Sequence, residues 1–291
     1  MCADSNFNSK LYVVATPIGN LEDLSERAKK TLRSVNWIAS EDTRHSQGLL
    51  IHFGIQKRCY SLHNFNEKKQ TSALIGLLKE GQTGALISDA GTPLISDPGF
   101  HLIQAAHEAH IEVISIPGPC AAISALSVLA IQEGPIHFEG FLPAKKGSRI
   151  KRVSELRTLT SVLVFYESPH RIEALFEDLC QVLGGERFCG IGRELTKKFE
   201  TLYRDSLENL FKKLQDQTIP IKGEFVIVVS GAQPIPQWEG DQRQLIQKLL
   251  TYLPITKAAK LAHEITGMDR KACYALALSL QPKPPEEEDS I

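Results

Sequence analysis

Three short runs mix carboxylates with basic or imidazole groups: EDTR at 41–44, HNFNE at 63–67 and RELTKK at 193–198. Each follows an apolar, β-branched run, so each falls where a strand would end. A carboxylate there can position a hydroxyl or accept its proton, and a cation beside it can neutralise a phosphate. The same residues also suit helix capping, since Asp42 or Thr43 ahead of a helix is a good N-cap. Both readings stay open for each run. Gly/Pro-rich turns follow other apolar runs: ATPIGN at 15–20, SDAGTPLISDPG at 88–99, PGPCAA at 117–122 and ESPHR at 167–171. Small residues at such turns let a ligand approach backbone N–H and C=O groups closely. In open α/β sheets, ligands bind beyond the carboxyl ends of the strands. Three such turns in the first half of the chain point to one shared ligand site.

Several chemistries find no support. There is no phosphate-binding Gly-x-x-x-x-Gly-Lys-[Ser/Thr] loop and no Gly-x-Ser-x-Gly nucleophile elbow. Gly190-Ile-Gly192 follows a strand-like run but lacks the third glycine of a dinucleotide fingerprint. The cysteines Cys2, Cys59, Cys120, Cys180, Cys189 and Cys273 form no Cys-x-x-Cys pair, so no metal site is expected. Scattered thiols fit a reducing compartment. The polar start MCADSNFNSK has no signal-peptide pattern, and the most apolar stretch, 111–131, is interrupted by Glu112, Pro117, Gly118 and Pro119. A cytoplasmic protein with no membrane association is expected. Of 291 residues, 42% are hydrophobic and 23% charged, which suits a chain of two or three units with a sizeable core. The net charge of −1 argues against a protein that grips nucleic acid by bulk charge, so any such contact requires local positive charge.

The elements that position these groups are readable from periodicity. LYVVA, WIAS, CYSL, GALIS and IEVIS are strand candidates, with helical patterns at 25–32, 67–79 and 100–110 between them. That alternation predicts a parallel sheet with crossover helices, over 11–132. After Gly134-Pro135, HFEGFL, SVLVFY, RFCGIG, FETLYR and EFVIVVS are strand-like, with helical patterns at 150–157, 171–183 and 207–214. A second α/β unit with a mixed sheet is expected over 133–231. Residues 1–10 are expected to be a disordered N-terminus, 232–240 a linker, and 282–291 a disordered acidic tail. Residues 241–281 are wholly helical in pattern. Thr256 is a candidate cap of one helix, Gly267 its end and Asp269 the cap of the next, as in a helix-turn-helix; a small helical cap on the protein is the alternative.

The motifs ATPIGNLEDLSERA, ASEDTR, SDAGTPLISDPG, IPGPCAAISAL, FYESPHR, RELTKKFE and KGEFVIVV, in that order, resemble the bacterial small-subunit ribosomal RNA methyltransferases of the tetrapyrrole-methylase class. The resemblance covers 11–231 and extends into the helical end. It implies two α/β domains with the cofactor cleft between them, plus a small C-terminal helical domain. It also implies a homodimer. The implied activity is transfer of the S-adenosyl-L-methionine methyl to a cytidine ribose 2′-oxygen in the decoding region of 16S rRNA, free or within the small ribosomal subunit. The tetrapyrrole-acting members of the class carry Gly-x-Gly-Pro-Gly-Asp where this chain has ATPIGN, and Gly-Gly-Asp-Pro where it has Ala90-Gly-Thr-Pro93. Carried over by position, the cofactor contacts fall on Pro17, Ala90, Gly91, Thr92, Ile95, Cys120 and Ala121, with Glu167 and Leu195 on the second domain.

Methyl transfer from a sulfonium needs alignment more than activation, but a ribose hydroxyl needs its proton accepted or polarised. Glu41, Asp42, His63, Glu167, His170, Glu194 and Lys197 are the candidate groups. Arg44, Arg171, Arg193 and Lys198 are candidates for phosphate contact, and His63 for contact with the RNA. The run Lys145, Lys146, Arg149, Lys151 and Arg152 supplies local positive charge for RNA, or else forms a solvated helix face. Two other functions fit the residues less completely: methylation of a tetrapyrrole such as uroporphyrinogen or a precorrin, and nucleic-acid-binding regulation through 241–280. A nicotinamide dehydrogenase is more distant.

Overall fold

The computed structural model describes residues 9–233 and 241–280. The expected tail at 282–291 and all but the first two residues of the expected linker lie outside these. Of the expected N-terminal segment 1–10, residues 1–8 also lie outside the described residues. Lys10 already belongs to the first strand, beside Glu112, with its ammonium 3.0 Å from that carboxylate.

The described residues up to Ala232 form one compact unit with two sheets. The first contains β1 (Lys10–Val14), β2 (Trp37–Ser40), β3 (Arg58–Ser61), β4 (Gly84–Ile87) and β5 (Glu112–Ile116), in the order β3-β2-β4-β1-β5. Every pairing is parallel. Parallel strands need crossovers. Here these are α1 (Glu26–Ser34), α2 (Thr43–His52), α3 (Glu67–Lys79) and α4 (Phe100–Glu108). Side chains alternate across each strand, so both faces must be covered. Val14, Ile38, Ala85 and Ile87 pack against α1 and α2 through Ala28, Leu32 and Leu50. On the opposite face Leu11, Trp37, Ala39 and Leu86 meet α3 and α4 through Leu74, Leu78, Leu102 and Ala106. The chain leaves β1 toward one face and β4 toward the other, so these neighbouring strands mark a switch point, where a crevice opens at their carboxyl ends.

The second sheet contains β6 (Ile136–Phe141), β7 (Val162–Glu167), β8 (Phe188–Arg193), β9 (Thr201–Ser206) and β10 (Phe225–Val229), ordered β6-β7-β10-β8-β9. Only β6 and β7 pair in parallel; the others are antiparallel, as the strand-rich pattern predicts. Leu163, Phe165, Phe225, Ile227 and Val229 point into a core with α6 (Lys146–Leu156), α7 (Ile172–Leu183) and α8 (Leu207–Gln215). Val162, Val164, Val226 and Val228 point the other way, onto Ala122, Ala125 and Leu129 of α5 (Ala121–Leu129). Thus α5 follows a strand of the first sheet but covers the second.

The remaining helices, α9 (Gln242–Leu250), α10 (Ile255–Thr266) and α11 (Arg270–Ser279), form a separate unit around Ile246, Ala259, Ala262, Cys273 and Ala277. Gly267 ends α10 in the left-handed region, and Asp269 caps α11 by accepting from the N–H groups of Lys271 and Ala272. Thr256 is not a cap: α10 starts one residue earlier, after Pro254, whose fixed φ suits a helix entry.

Candidate functional site: two adjoining cavities at the strand ends

The turn after β1 and the turn after β4 are tied together. Thr16 and Gly91 exchange backbone hydrogen bonds of 2.9 and 3.1 Å, and the Thr16 hydroxyl donates to the Ser88 carbonyl. The Thr92 hydroxyl then donates to the Pro119 carbonyl at 2.9 Å, joining the turn after β5. Three turns predicted separately to approach a ligand are one structure. Gly91 has φ +86°, open to glycine and strained for other residues. Leu94 and Ser96, at φ 71° and 72°, are held in the same region without that freedom. Such strain persists only where the surroundings over-determine it, and it gathers at functional sites.

Beside these turns lies a cavity of about 390 Å³, within the size range of small-molecule sites. Its first wall is Ile18, residues of the run from Asp89 to Asp97, Cys120 and Ala121; its second is Phe141, Tyr166, Glu167 and the 224–226 segment. The Tyr166 hydroxyl accepts from the Ala122 N–H at 3.1 Å, so the second sheet caps the helix that starts from the first wall. Burial pushes the Tyr166 phenol well above its ordinary range. Glu167 is 2% exposed. Its Oε1 accepts from the Ser168 N–H at 2.8 Å, while Oε2 faces the Arg171 guanidinium at 3.1 Å without a well-directed hydrogen bond.

A second cavity, about 620 Å³, shares Ile18, Asp89, Ala90 and Glu224 with the first. Pro17, Leu21 and Lys197 line it, together with Arg44, His45, Gly48 and His52 of α2. Lys197 donates to Glu194 and Glu224, both at 2.9 Å. Burial opposes its charge, but these two carboxylates outweigh that and raise its pKa. Burial likewise opposes the Glu194 carboxylate, and the Lys197 ammonium and the Glu224 N–H bring its pKa down.

Carboxylates gather at the first cavity, where Asp89, shared with the second, and Asp97 line the wall. Burial, reinforced by the charges of Glu41 and Asp89, pushes Asp97 up to about 6, against a partial opposing pull from the Ser88 hydroxyl. Burial also raises Glu41, with Asp89 next in effect. Asp42 is different: Arg44 holds it down at about 2, and its Oδ1 accepts from the Arg44 N–H, so it caps α2.

The sequence-predicted residues divide accordingly. Ala90, Gly91, Thr92, Ile95, Cys120, Ala121 and Glu167 line the first cavity, and Pro17, Arg44 and Lys197 the second. Leu195 lies behind the wall, in the core with Ile18 and Val226. Glu41 and His63 sit near the carboxylate group of Asp89 and Asp97 without lining either cavity, and His170 is exposed and lines neither. Lys198 lies over the Phe199 ring. Several expected phosphate contacts are committed elsewhere. Arg193 is buried and donates to the carbonyls of Phe199, Pro220 and Lys222, and Arg171 donates to that of Leu142. The basic run is largely neutralised. Arg149 is buried against Asp178 at 2.6 Å, Lys146 pairs with Glu177, and Arg152 pairs with Glu139 and Glu155. Lys145 and Lys151 are exposed and have no ion pair among the described residues. Sequence reading missed Asp89, Asp97, Phe141, Tyr166 and Glu224. Both aspartates stand in the 88–99 motif, where the glycines and prolines drew attention to the backbone instead.

The tetrapyrrole (corrin/porphyrin) methylase family matches residues 10–210, and the RsmI C-terminal HTH domain matches 236–281. Proteins called ribosomal RNA small subunit methyltransferase I are similar along nearly the whole chain. The one from Escherichia coli O157:H7 is 43% identical, covering 95% of this chain and 97% of its own. The one from Pseudomonas aeruginosa is 44% identical, covering 94% and 98%. Among solved structures, uroporphyrin-III C-methyltransferase from Thermus thermophilus superposes with a TM-score of 0.55 at 19% identity, covering 76% of this chain and 94% of that one. Diphthine synthase gives 0.57 at 16%, covering 77% and 90%. At those identities the structures speak for the fold alone. The extent of the sequence matches decides the family: the chain belongs to the tetrapyrrole (corrin/porphyrin) methylases and, among them, to the ribosomal RNA small subunit methyltransferase I family.

Proposed function

We propose that this chain transfers the methyl group of S-adenosyl-L-methionine to the ribose 2′-oxygen of a cytidine in the decoding region of 16S rRNA. The observation that carries the reading is the pair of adjoining cavities, one partly apolar and lined by the turns after β1, β4 and β5, the other lined by α2 and Lys197. The first suits the donor. Ile18, Ile95 and Phe141 offer apolar surface, and the carboxyl groups of Asp89, Asp97 and Glu167 on its walls suit a cationic ligand. The buried Glu167 Oε2, without a directed hydrogen bond, is a further polar atom on that wall. Bound there, S-adenosyl-L-methionine supplies a methyl group already activated by its sulfonium.

The protein's own part is alignment and proton handling. The second cavity receives the acceptor ribose, with Arg44, His45 and His52 toward its phosphates. Asp97, at about 6, is ionised at neutral pH yet basic enough to accept a hydroxyl proton; Asp42, at about 2, is a poor acceptor. Lys197, fixed by Glu194 and Glu224, orients the groove wall. The chain works as a cytoplasmic homodimer on rRNA or the assembled small subunit. Among the described residues no helix is long and apolar enough to cross a membrane. Incubation with labelled S-adenosyl-L-methionine and either 30S subunits or uroporphyrinogen tests the substrate. Label on a 16S cytidine ribose is expected, and label on the tetrapyrrole alone would overturn the reading.

A further inference from the structure

Glu67 is a buried carboxylate in the first turn of α3, yet it serves another helix. Its Oε1 accepts from the N–H groups of Gly99 at 3.1 Å and His101 at 2.8 Å. Gly99 has no side chain with which to cap α4, so Glu67 caps it from a distance. This clamp fixes the segment containing Phe65 against the segment containing Phe100. Both rings are turned to solvent, Phe65 at 99% and Phe100 at 63% exposure. His63 and His101 meet the edges of the two rings. Lys68 and Lys69, on the exposed side of α3, have no ion pair among the described residues. Exposed aromatic rings beside unpaired cations, on a rim continuous with the 88–99 loop of the donor cavity, form an interaction surface. The acid-paired run at 145–152 does not offer this combination.

We infer that Phe65 and Phe100, clamped by Glu67 and flanked by Lys68 and Lys69, form a stacking platform for unpaired bases of the substrate RNA beside the target nucleotide. Single-stranded RNA presents π-faces and phosphates together, which matches rings interleaved with cations. The platform rests on the proposed rRNA activity. It lies outside both cavities, so it affects how RNA is held and leaves the transfer step alone.

The test compares Phe65→Leu, Phe65→Trp and the Phe65→Leu/Phe100→Leu double variant in the full-length chain. Assays use 30S subunits with labelled S-adenosyl-L-methionine, and sedimentation reports the oligomeric state. Loss of stacking is expected to raise KM for the RNA substrate about ten-fold in Phe65→Leu and further in the double variant, with kcat and donor Kd unchanged. Phe65→Trp, which keeps a ring, is expected to retain the wild-type KM. An unchanged KM in the double variant overturns the platform, as does equal impairment by Leu and Trp. A changed oligomeric state with unchanged KM overturns it in favour of a self-association surface. Wild-type protein that methylates no rRNA overturns the function reading, and the platform with it.

Discussion

Replacing Asp97 with Asn should lower activity and raise stability, two effects of opposite sign from one cause. Burial and the charges of Glu41 and Asp89 raise its carboxyl from 3.8 to about 6. A shift of roughly two units is worth about 3 kcal/mol at full value. Asp97 is partly open to solvent, and screening reduces this to about 1 kcal/mol. Because the folded pKa is the higher one, the stabilising contribution of the neutral carboxyl is complete below 3.8 and is lost as pH rises through about 6. At pH 7 the ionised group is therefore unfavourable, and the neutral amide removes that cost. Asp97→Asn should melt about 2–4 °C higher at pH 7. Near pH 4 the difference should shrink. A general base contributes about 10²–10⁴ in rate, so kcat should fall by about a hundred-fold or more. The wild-type rate should rise with pH through about 6 and level above it. Calorimetry with S-adenosyl-L-methionine separates lost donor binding from lost proton transfer. Wild-type kcat in Asp97→Asn, or a pH profile without an inflection near 6, would refute the proton-accepting role.

Other substitutions separate structure from chemistry. Arg149→Ala leaves the buried Asp178 with only Lys146, 3.8 Å from its Oδ1, which should cost about 3 kcal/mol and show as a lowered melting temperature, while Lys151→Ala should change little. Arg193→Ala strands the carbonyls of Phe199, Pro220 and Lys222, so at least about 2 kcal/mol of stability should go; low activity at unchanged Tm would restore a phosphate-binding role. Gly91→Ala places a Cβ 3.3 Å from Ile18 Cγ2 at φ +86° and should weaken donor binding by about ten-fold in calorimetry, for a strain of about 1–2 kcal/mol.

The elements were legible because their patterns are local. WIAS and GALIS read as buried strands, and both strands are buried along their whole length. Asp269 and Gly267 read as helix signals because capping depends on neighbours in sequence. The site was only half legible. Turns that line a cavity could be found from glycine, proline and chain position, but the partners of a charge could not. Arg149 and Arg152 look alike in sequence to the exposed Lys151. Only the fold brings Asp178, from the next helix, against the first and Glu139, from the preceding strand, against the second. Asp97 was missed for a related reason. Its elevated pKa comes from burial, from Glu41 at the end of another strand and from Asp89 eight residues earlier in the same loop, and how close the fold brings them is not encoded in the residues beside it.

A net charge of −1 is compatible with an RNA substrate because pairing decides where charge is available. Ion pairs consume most cations of α6, where the sequence is densest in them. Among the exposed cations left without an ion pair are Lys68 and Lys69, on the rim beside exposed rings; Lys197, in the cavity that adjoins the donor cavity, is held by Glu194 and Glu224. An interface of this kind should depend weakly on salt compared with a polybasic one, since few phosphates are neutralised. The slope of log affinity against log salt for 30S binding should therefore be shallow. A steep slope, unchanged when Lys68 and Lys69 are replaced by alanine, would show that the phosphate contacts lie elsewhere on the chain.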